Sequence, residues 1–194
     1  MRKGDITRKF IIQKSAELFN QYGYAGCSMN DIMLATGLQK GGIYRYFKSK
    51  DELAAEAFDY AFDIVSKRFS DAMLQADTAL EKIGSLFDVY EDVVNNPPVK
   101  GGCPLLNTAV DSDDTNPVLR NKALFVFHKF LSEIEKVIEE AIQNKELNRN
   151  IDSKTVASFI VASFEGSIMI SKLEKDNMYI ASSKQQVLSY LLML

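Results

Sequence analysis

The sequence predicts an all-α protein with an N-terminal three-helix helix-turn-helix head and a larger helical body, about nine helices in all. Three observations carry this. Apolar residues recur at helical spacing along most of the 194 residues. The four prolines stand only at 97, 98, 104 and 117, so residues 1–96 and 118–194 contain no helix breaker of that kind. Capping residues recur where the periodic segments begin.

Taken in order, the spacing predicts helices over 5–22, 28–35, 39–47, 49–76, 78–95, 105–112, 117–146, 152–175 and 183–194. Four capping boxes, in which a hydroxyl and an acid or amide three residues later satisfy each other's backbone N–H, mark starts at Ser28/Asp31, Ser49/Glu52, Thr78/Glu81 and Ser183/Gln186. Asn116 before Pro117 supplies another cap, and Asp152 one more. The stretch NNPPVKGGCPLLNTAVDSDDTNP holds every proline plus Gly101 and Gly102, and reads as the one long irregular segment.

Charge divides the chain by role. The net charge is −3, yet residues 1–50 carry nine basic and three acidic side chains, a balance of +6, and the remaining 144 residues carry −9. Such asymmetry points to a nucleic-acid-facing or membrane-facing end on an acidic body. The apolar run Phe10-Ile11-Ile12 is too short for a signal sequence, and FIVASFEGSIMI is interrupted by Glu165, so a cytoplasmic protein without a membrane partner is expected. Cys27 and Cys103 form no CxxC and have no histidine cluster beside them, so neither a disulfide framework nor a zinc site is encoded. No HExxH, GxSxG or GxxxxGK[ST] string occurs, and one histidine leaves little for acid–base work, so neither an enzyme nor a cofactor is expected. The acidic run Asp111 to Asn116 lacks the glycine and the final acid of a calcium loop.

The segment SMNDIMLATGLQKGGIYRYF, Ser28 to Phe47, has the arithmetic of a helix-turn-helix. Gly37 supplies the positive φ of the turn, and Ile32, Ala35, Leu38, Ile43 and Phe47 recur so as to close over Ile12, Ala16 and Phe19. The opposite face displays Gln39, Lys40, Tyr44, Arg45 and Lys48, a set suited to a DNA major groove.

Over about the first 55 residues the sequence resembles the TetR/AcrR-type bacterial transcriptional regulators. The resemblance rests on AELFNQYGYAGCSMNDI and ATGLQKGGIYRYFKSKDEL, above all on the string Lys40, Gly41, Ile43, Tyr44, Tyr46, Phe47 and Lys50. It implies a DNA-binding head at 1–50, a ligand-binding and dimerisation body at 51–194, and a homodimer released from a palindromic operator by a small-molecule effector of unknown identity. Carried over residue by residue, it implies phosphate contacts from Ser28, Lys40 and Lys50, close backbone approach at Gly41, base reading by Gln39 and Arg45, and mixed contacts from Tyr44 and Tyr46.

In the body, Val156, Phe159, Ile160, Ser163, Phe164, Ser167 and Ile170, with Val187, Leu188, Leu191, Leu192 and Leu194, are expected to build a two-fold helical interface. The helix 49–76 is expected to link head to body. Candidate effector-pocket residues are Phe87, Tyr90, Cys103, Phe125, His128, Phe164 and Glu165, with Met73, Phe127, Phe130 and Met169 as further candidates. His128 reads first as a buried, hydrogen-bonded core residue. Cys103, between Gly102 and Pro104 and near Lys100, raises a second reading, a thiol sensor of oxidants or electrophiles. A third is a DNA binder of the same fold that takes no small ligand.

Overall fold

The computed structural model describes residues 2–148 and 150–194, and these form nine helices and no strand. The helices are α1 (Lys3–Gly26), α2 (Met29–Thr36), α3 (Lys40–Tyr44), α4 (Lys50–Met73), α5 (Ala79–Asp88), α6 (Pro104–Ser112), α7 (Pro117–Gln143), α8 (Ser153–Glu174) and α9 (Met178–Met193). The expected all-α architecture is the observed one.

Capping chemistry sets several of these starts. Ser28 accepts from the Asp31 N–H at 3.2 Å while the Asp31 carboxylate accepts from the Ser28 N–H at 2.7 Å. Thr78 and Glu81 repeat the exchange at α5. The Asn116 side-chain oxygen accepts from the N–H groups of Val118 and Leu119, both at 3.1 Å, with Pro117 at the position where a missing N–H costs nothing. Asp152 accepts from Lys154 and Thr155.

Several boundaries differ from the sequence reading: α3, α4 and α7 each end three residues earlier than expected, at Tyr44, Met73 and Gln143, and three further differences have visible causes. The Ser183/Gln186 box starts nothing, because α9 is already helical from Met178. At its start Asp176 accepts from the Met178 N–H at 2.8 Å and the Ser171 hydroxyl from the Ile180 N–H at 3.1 Å, while the Asn177 side-chain oxygen accepts from the distant Val94 N–H and its amide donates to Asp92. The α5 helix stops at Asp88, after which Tyr90, Glu91 and Val93 donate three residues back, a tighter winding than an α-helix. Within α1, Gly23 (φ 73, ψ 168) leaves helical geometry and kinks the C-terminal turn.

Packing divides the chain into two units. The first comprises Met1–Val65 and Val99–Phe125, and the second Ser66–Pro98 and Val126–Leu194. The first unit therefore takes in α6 and the start of α7 together with α1 to α3, and α4 and α7 each contribute to both units. Its helix-turn-helix core is Ile11, Ile12, Cys27, Ile32, Ile43, Phe47 and Leu53. Leu38 is packed against it as expected, but Ala35 is exposed.

In the second unit the core is aromatic. Phe69, Phe87, Tyr90 and Phe130 surround Phe164, with ring centroids 5.9, 5.3, 5.4 and 6.1 Å from it. All four of these contacts are edge-on or nearly so, the arrangement that the ring quadrupole favours, and Phe69 also stacks on Phe130 at 5.5 Å. Among the described residues α8 is the one helix long and apolar enough to cross a membrane by length and composition. Here Val156, Ile160, Val161, Phe164 and Ile168 are buried in the protein core.

Candidate nucleic-acid interface

The turn between α2 and α3 exists because Gly37 takes φ 67, ψ 12, a left-handed conformation that a side chain disfavours. Ile32, Ile43 and Phe47 face inward and are almost fully buried, and Met29, Met33, Leu38 and Tyr46 pack partly buried against the same core, which leaves a polar set outward. Gln39, Lys40, Gly41, Tyr44, Arg45 and Lys48 are all exposed, as is Ser28 at the start of α2. Lys40 places its ammonium 5.7 Å from the centre of the Tyr44 ring, so cation and aromatic face lie together on one surface. A Cβ on Gly41 would meet nothing within 4 Å, which leaves its backbone open to approach.

Two of the candidate residues are placed differently from their neighbours. Tyr46 is half-buried against the helix-turn-helix core. Lys50 is also half-buried; its ammonium donates to the Tyr24 carbonyl oxygen and lies 4.0 Å from the centre of the Tyr24 ring. A phosphate at Lys50 has to share that ammonium with Tyr24, which its three N–H groups permit.

The Tyr24 hydroxyl donates in turn to Asp51 at 2.6 Å, and Asp51 also accepts from the Asn116 amide. Burial, followed by the Asp51 hydrogen bond, pushes the Tyr24 hydroxyl up to about 12. The end of α1, the start of α4 and the cap of α7 thus share one polar cluster within the first unit.

A second cluster went unforeseen from sequence. Asn20, buried in α1, donates to the carbonyl oxygens of Lys100 at 2.8 Å and Gly102 at 3.0 Å. Asn107 of α6 donates to the Asn20 carbonyl at 2.9 Å, the Asn20 side-chain oxygen at 3.0 Å and the Gly101 carbonyl at 2.9 Å. One turn further on, Asp111 accepts from the Tyr24 N–H at 2.6 Å, beside the Gly23 kink. The Gly-Gly-Cys-Pro segment is therefore a connector that fastens α6 to α1 within the first unit. The glycine pair was its local signal; the asparagines gave none.

The candidate effector residues are only partly brought together. Phe87, Tyr90 and Phe164 share the aromatic core of the second unit, where Phe130 joins them, and Glu165 follows half-buried. Phe125 does not line an interior, being 72% exposed. His128 is exposed rather than a buried core residue, with its ring 5.4 Å from that of Phe127. Met169 is exposed and Met73 half-buried.

Cys103 belongs to the first unit and is 4% exposed, which removes the exposure on which thiol sensing depends. Cys27 is buried too, and burial, then Asp31, pushes its thiol up to about 11. Between α1, α4, α6 and α7 the first unit has a partly open cavity of about 30 Å³ lined by Phe19, Asn20, Tyr24, Phe58, Asn107 and Asp111 among others, room for little more than water.

The stripe expected to form a dimer splits in two. Val156, Ile160, Phe164, Ser167, Val187 and Leu191 are buried in the core of their own unit. A different α8 face stays outside: Phe159, Met169, Ile170 and Leu173 are exposed, and a Cβ on Gly166 would stand in open space.

Comparison with known proteins agrees with this architecture. Residues 11–57 match the family described as bacterial regulatory proteins, tetR family, and residues 79–187 match the tetracyclin repressor-like C-terminal domain. A TetR transcriptional regulator from Chloroflexus aurantiacus J-10-fl is 38% identical, with TM-score 0.93 over 98% of this chain and 96% of that one. A TetR-family regulator from Cytophaga hutchinsonii is 31% identical, with TM-score 0.93 over 100% and 97%. The HTH-type transcriptional repressor DhaR of Mycobacterium sp. strain GP1 is 23% identical over 87% of this chain and 84% of its own. Matched through its helix-turn-helix and through most of the body, the chain belongs to the tetR family of bacterial regulatory proteins and is a DNA-binding transcriptional regulator.

Proposed function

We propose that this regulator is a cytoplasmic repressor that binds a palindromic operator as a homodimer and leaves it when a small molecule occupies the body. In this reading residues 1–50 contact DNA and residues 51–194 hold the effector and the dimer interface. The observation that carries it is the α2–turn–α3 surface, where Lys40, Arg45 and Lys48 are exposed and form no ion pair among the described residues. Lys40 holds phosphate as a point charge, whereas Gln39 and Arg45 have the bidentate geometry that reads adenine and guanine edges.

The exposed α8 face of Phe159, Gly166, Met169, Ile170 and Leu173 supports pairing with a second copy, since a small residue at its middle lets two helices approach closely. Effector release is supported by the two polar clusters, which make the geometry of α1 depend on α4 and α6. A body ligand that shifts either helix changes the setting of the head, and by linkage operator and effector then weaken each other's binding by the same factor.

The test is fluorescence anisotropy on a duplex selected from genomic fragments by the wild-type protein, and on a scrambled duplex. Lys40→Ala weakens both alike, and Arg45→Ala loses the preference for the selected site. Equal losses from both substitutions on both duplexes refute the division of roles. Thermal shift against a metabolite panel then finds effectors, and a hit that raises the melting temperature without loosening the operator argues against ligand-controlled release.

A further inference from the structure

A helix as short as α3 does not fix its own direction. Its winding runs on to Phe47 through a mixture of bonds, Gly42 and Tyr46 donating three residues back and Ile43, Arg45 and Phe47 four. Gln39 at its start supplies no side-chain cap. Short helices hold their shape through packing, so the angle at which Gln39 and Arg45 face outward is set by what anchors the ends of the segment.

At the exit the anchor is Phe47, 2% exposed and four residues beyond the buried Ile43, hence on the same face. Arg8 of α1 covers it, with the guanidinium carbon 4.9 Å from the ring centre. The same guanidinium pairs with Glu56 of α4. One turn before Glu56, the Glu52 carboxylate accepts from the Lys48 N–H at 2.6 Å. Two acids on one face of α4 thus hold consecutive points of the chain leaving α3, Lys48 directly and Phe47 through Arg8.

For the fold alone this arrangement is weak. The Arg8 and Glu56 side chains are 39% and 30% exposed, and ion pairs so open to water contribute little to stability. For direction it is well placed, because one planar group touches the exit of α3 and α4 while rooted in α1. A guanidinium covers a ring and still presents a fork of N–H groups to a carboxylate, whereas an ammonium is a single point.

We propose that Arg8 is a positioning residue for sequence reading, which clamps Phe47 to Glu56 and so fixes the angle at which α3 presents Gln39 and Arg45 to base edges. In this role Arg8 touches no DNA. Bidentate base reading needs a fixed orientation, whereas a phosphate held by the point charge of Lys40 tolerates a tilted helix. Loosening the clamp therefore costs preference before it costs affinity for DNA in general. This inference rests on the reading of α2 and α3 as the DNA-binding element.

The experiment measures binding of the full-length protein to the selected duplex and to a scrambled duplex across a salt series, alongside thermal unfolding. Arg8→Met keeps apolar cover on Phe47 and removes the charge; the ratio of the two affinities is expected to fall by about three- to tenfold, with the scrambled duplex bound as by wild type and the slope of log affinity against log salt unchanged. Glu56→Gln, which leaves the cation over the ring without its partner, is expected to lower the ratio as well. Arg8→Lys, which keeps the ion pair and loses the flat cover, is expected to fall between Arg8→Met and wild type, and these two variants carry the test where Arg8→Met does not fold. A wild-type ratio in every variant, with Arg45→Ala still losing the preference, overturns the clamp and leaves the helix-turn-helix reading standing. So does an equal loss on both duplexes that tracks a lowered melting temperature, which marks a purely structural contact. A slope flattened by about 0.9 in Arg8→Met also overturns it, because Arg8 is then a phosphate contact. A wild-type protein that prefers no duplex overturns both readings.

Discussion

The carbonyl oxygen of Asn20 stands 2.3 Å from where a Cβ on Gly101 would lie, and Gly101 itself adopts φ +97. Both the conformation and the space demand glycine, and the neighbour is backbone of α1, which cannot rotate away. Around this contact Asn20 and Asn107 satisfy the carbonyl groups of residues 100–102.

Gly101→Ala is therefore expected to cost at least about 2 kcal/mol, from left-handed strain together with disrupted buried hydrogen bonds. Gly41→Ala is expected to do the reverse. Its Cβ enters open space within a helix, so stability stays level or rises by up to about 1 kcal/mol, while affinity for DNA falls because the added methyl keeps the backbone from its phosphate. Denaturant midpoints and anisotropy on the two variants check both. A destabilised Gly41→Ala with intact DNA binding contradicts the assignment.

In the second unit Phe164 touches four other rings and is 1% exposed, whereas Phe125 in the first unit is 72% exposed. Phe164→Ala should cost about 3–5 kcal/mol, the lost transfer free energy plus the hole left among rings that cannot all collapse into it. Phe125→Ala should stay within about 0.5 kcal/mol of wild type. Both were equal candidates for an effector pocket by sequence, and urea unfolding separates them.

That difference shows where legibility ends. Caps at Ser28, Thr78, Asn116 and Asp152 were readable because each satisfies N–H groups two or three residues away. The same rule placed a start at Ser183 that the chain ignores: α9 begins at Met178, whose N–H Asp176 accepts, and Asn177 beside it is held by Val94 and Asp92, more than eighty residues back. The outward residues of α3 were legible as the complement of its buried ones. The Asn20–Asn107 link was not, because nothing local distinguishes an asparagine that will be buried from one that will be solvated. Periodicity found apolar faces on α8 without telling the one that closes the core from the one left open.

Acid sensitivity follows from the caps. Hydrogen bonds from Ser28 hold the Asp31 carboxyl below its usual value; those from Thr78 and Asp77 do so for Glu81, and those from Thr155 and Lys154 for Asp152. Each group binds its proton more readily unfolded than folded, so its contribution is complete above the ordinary carboxylate range and is lost as pH falls below about 4. Stability should be flat from neutral pH down to that point and then drop. Asp31→Asn combined with Asp152→Asn should shrink the drop, as urea midpoints from pH 7 to pH 3 will record. An undiminished drop means other carboxylates govern it.

The two thiols give the sharpest test between readings of this regulator. Cys27 is 1% exposed with its thiol pushed up to about 11, so at neutral pH only about one molecule in ten thousand carries the thiolate there. Cys103 is 4% exposed, packed where the Gly-Gly-Cys-Pro connector meets α6. The thiolate is the reactive form and needs access to its reagent, so neither residue should be alkylated by maleimide over minutes in the folded protein. Both should react once guanidinium unfolds it, and operator affinity should be the same before and after native treatment. One rapidly reacting equivalent in the native state, abolished by Cys103→Ser and accompanied by release from DNA, would instead establish Cys103 as a sensor and require the connector to open in solution.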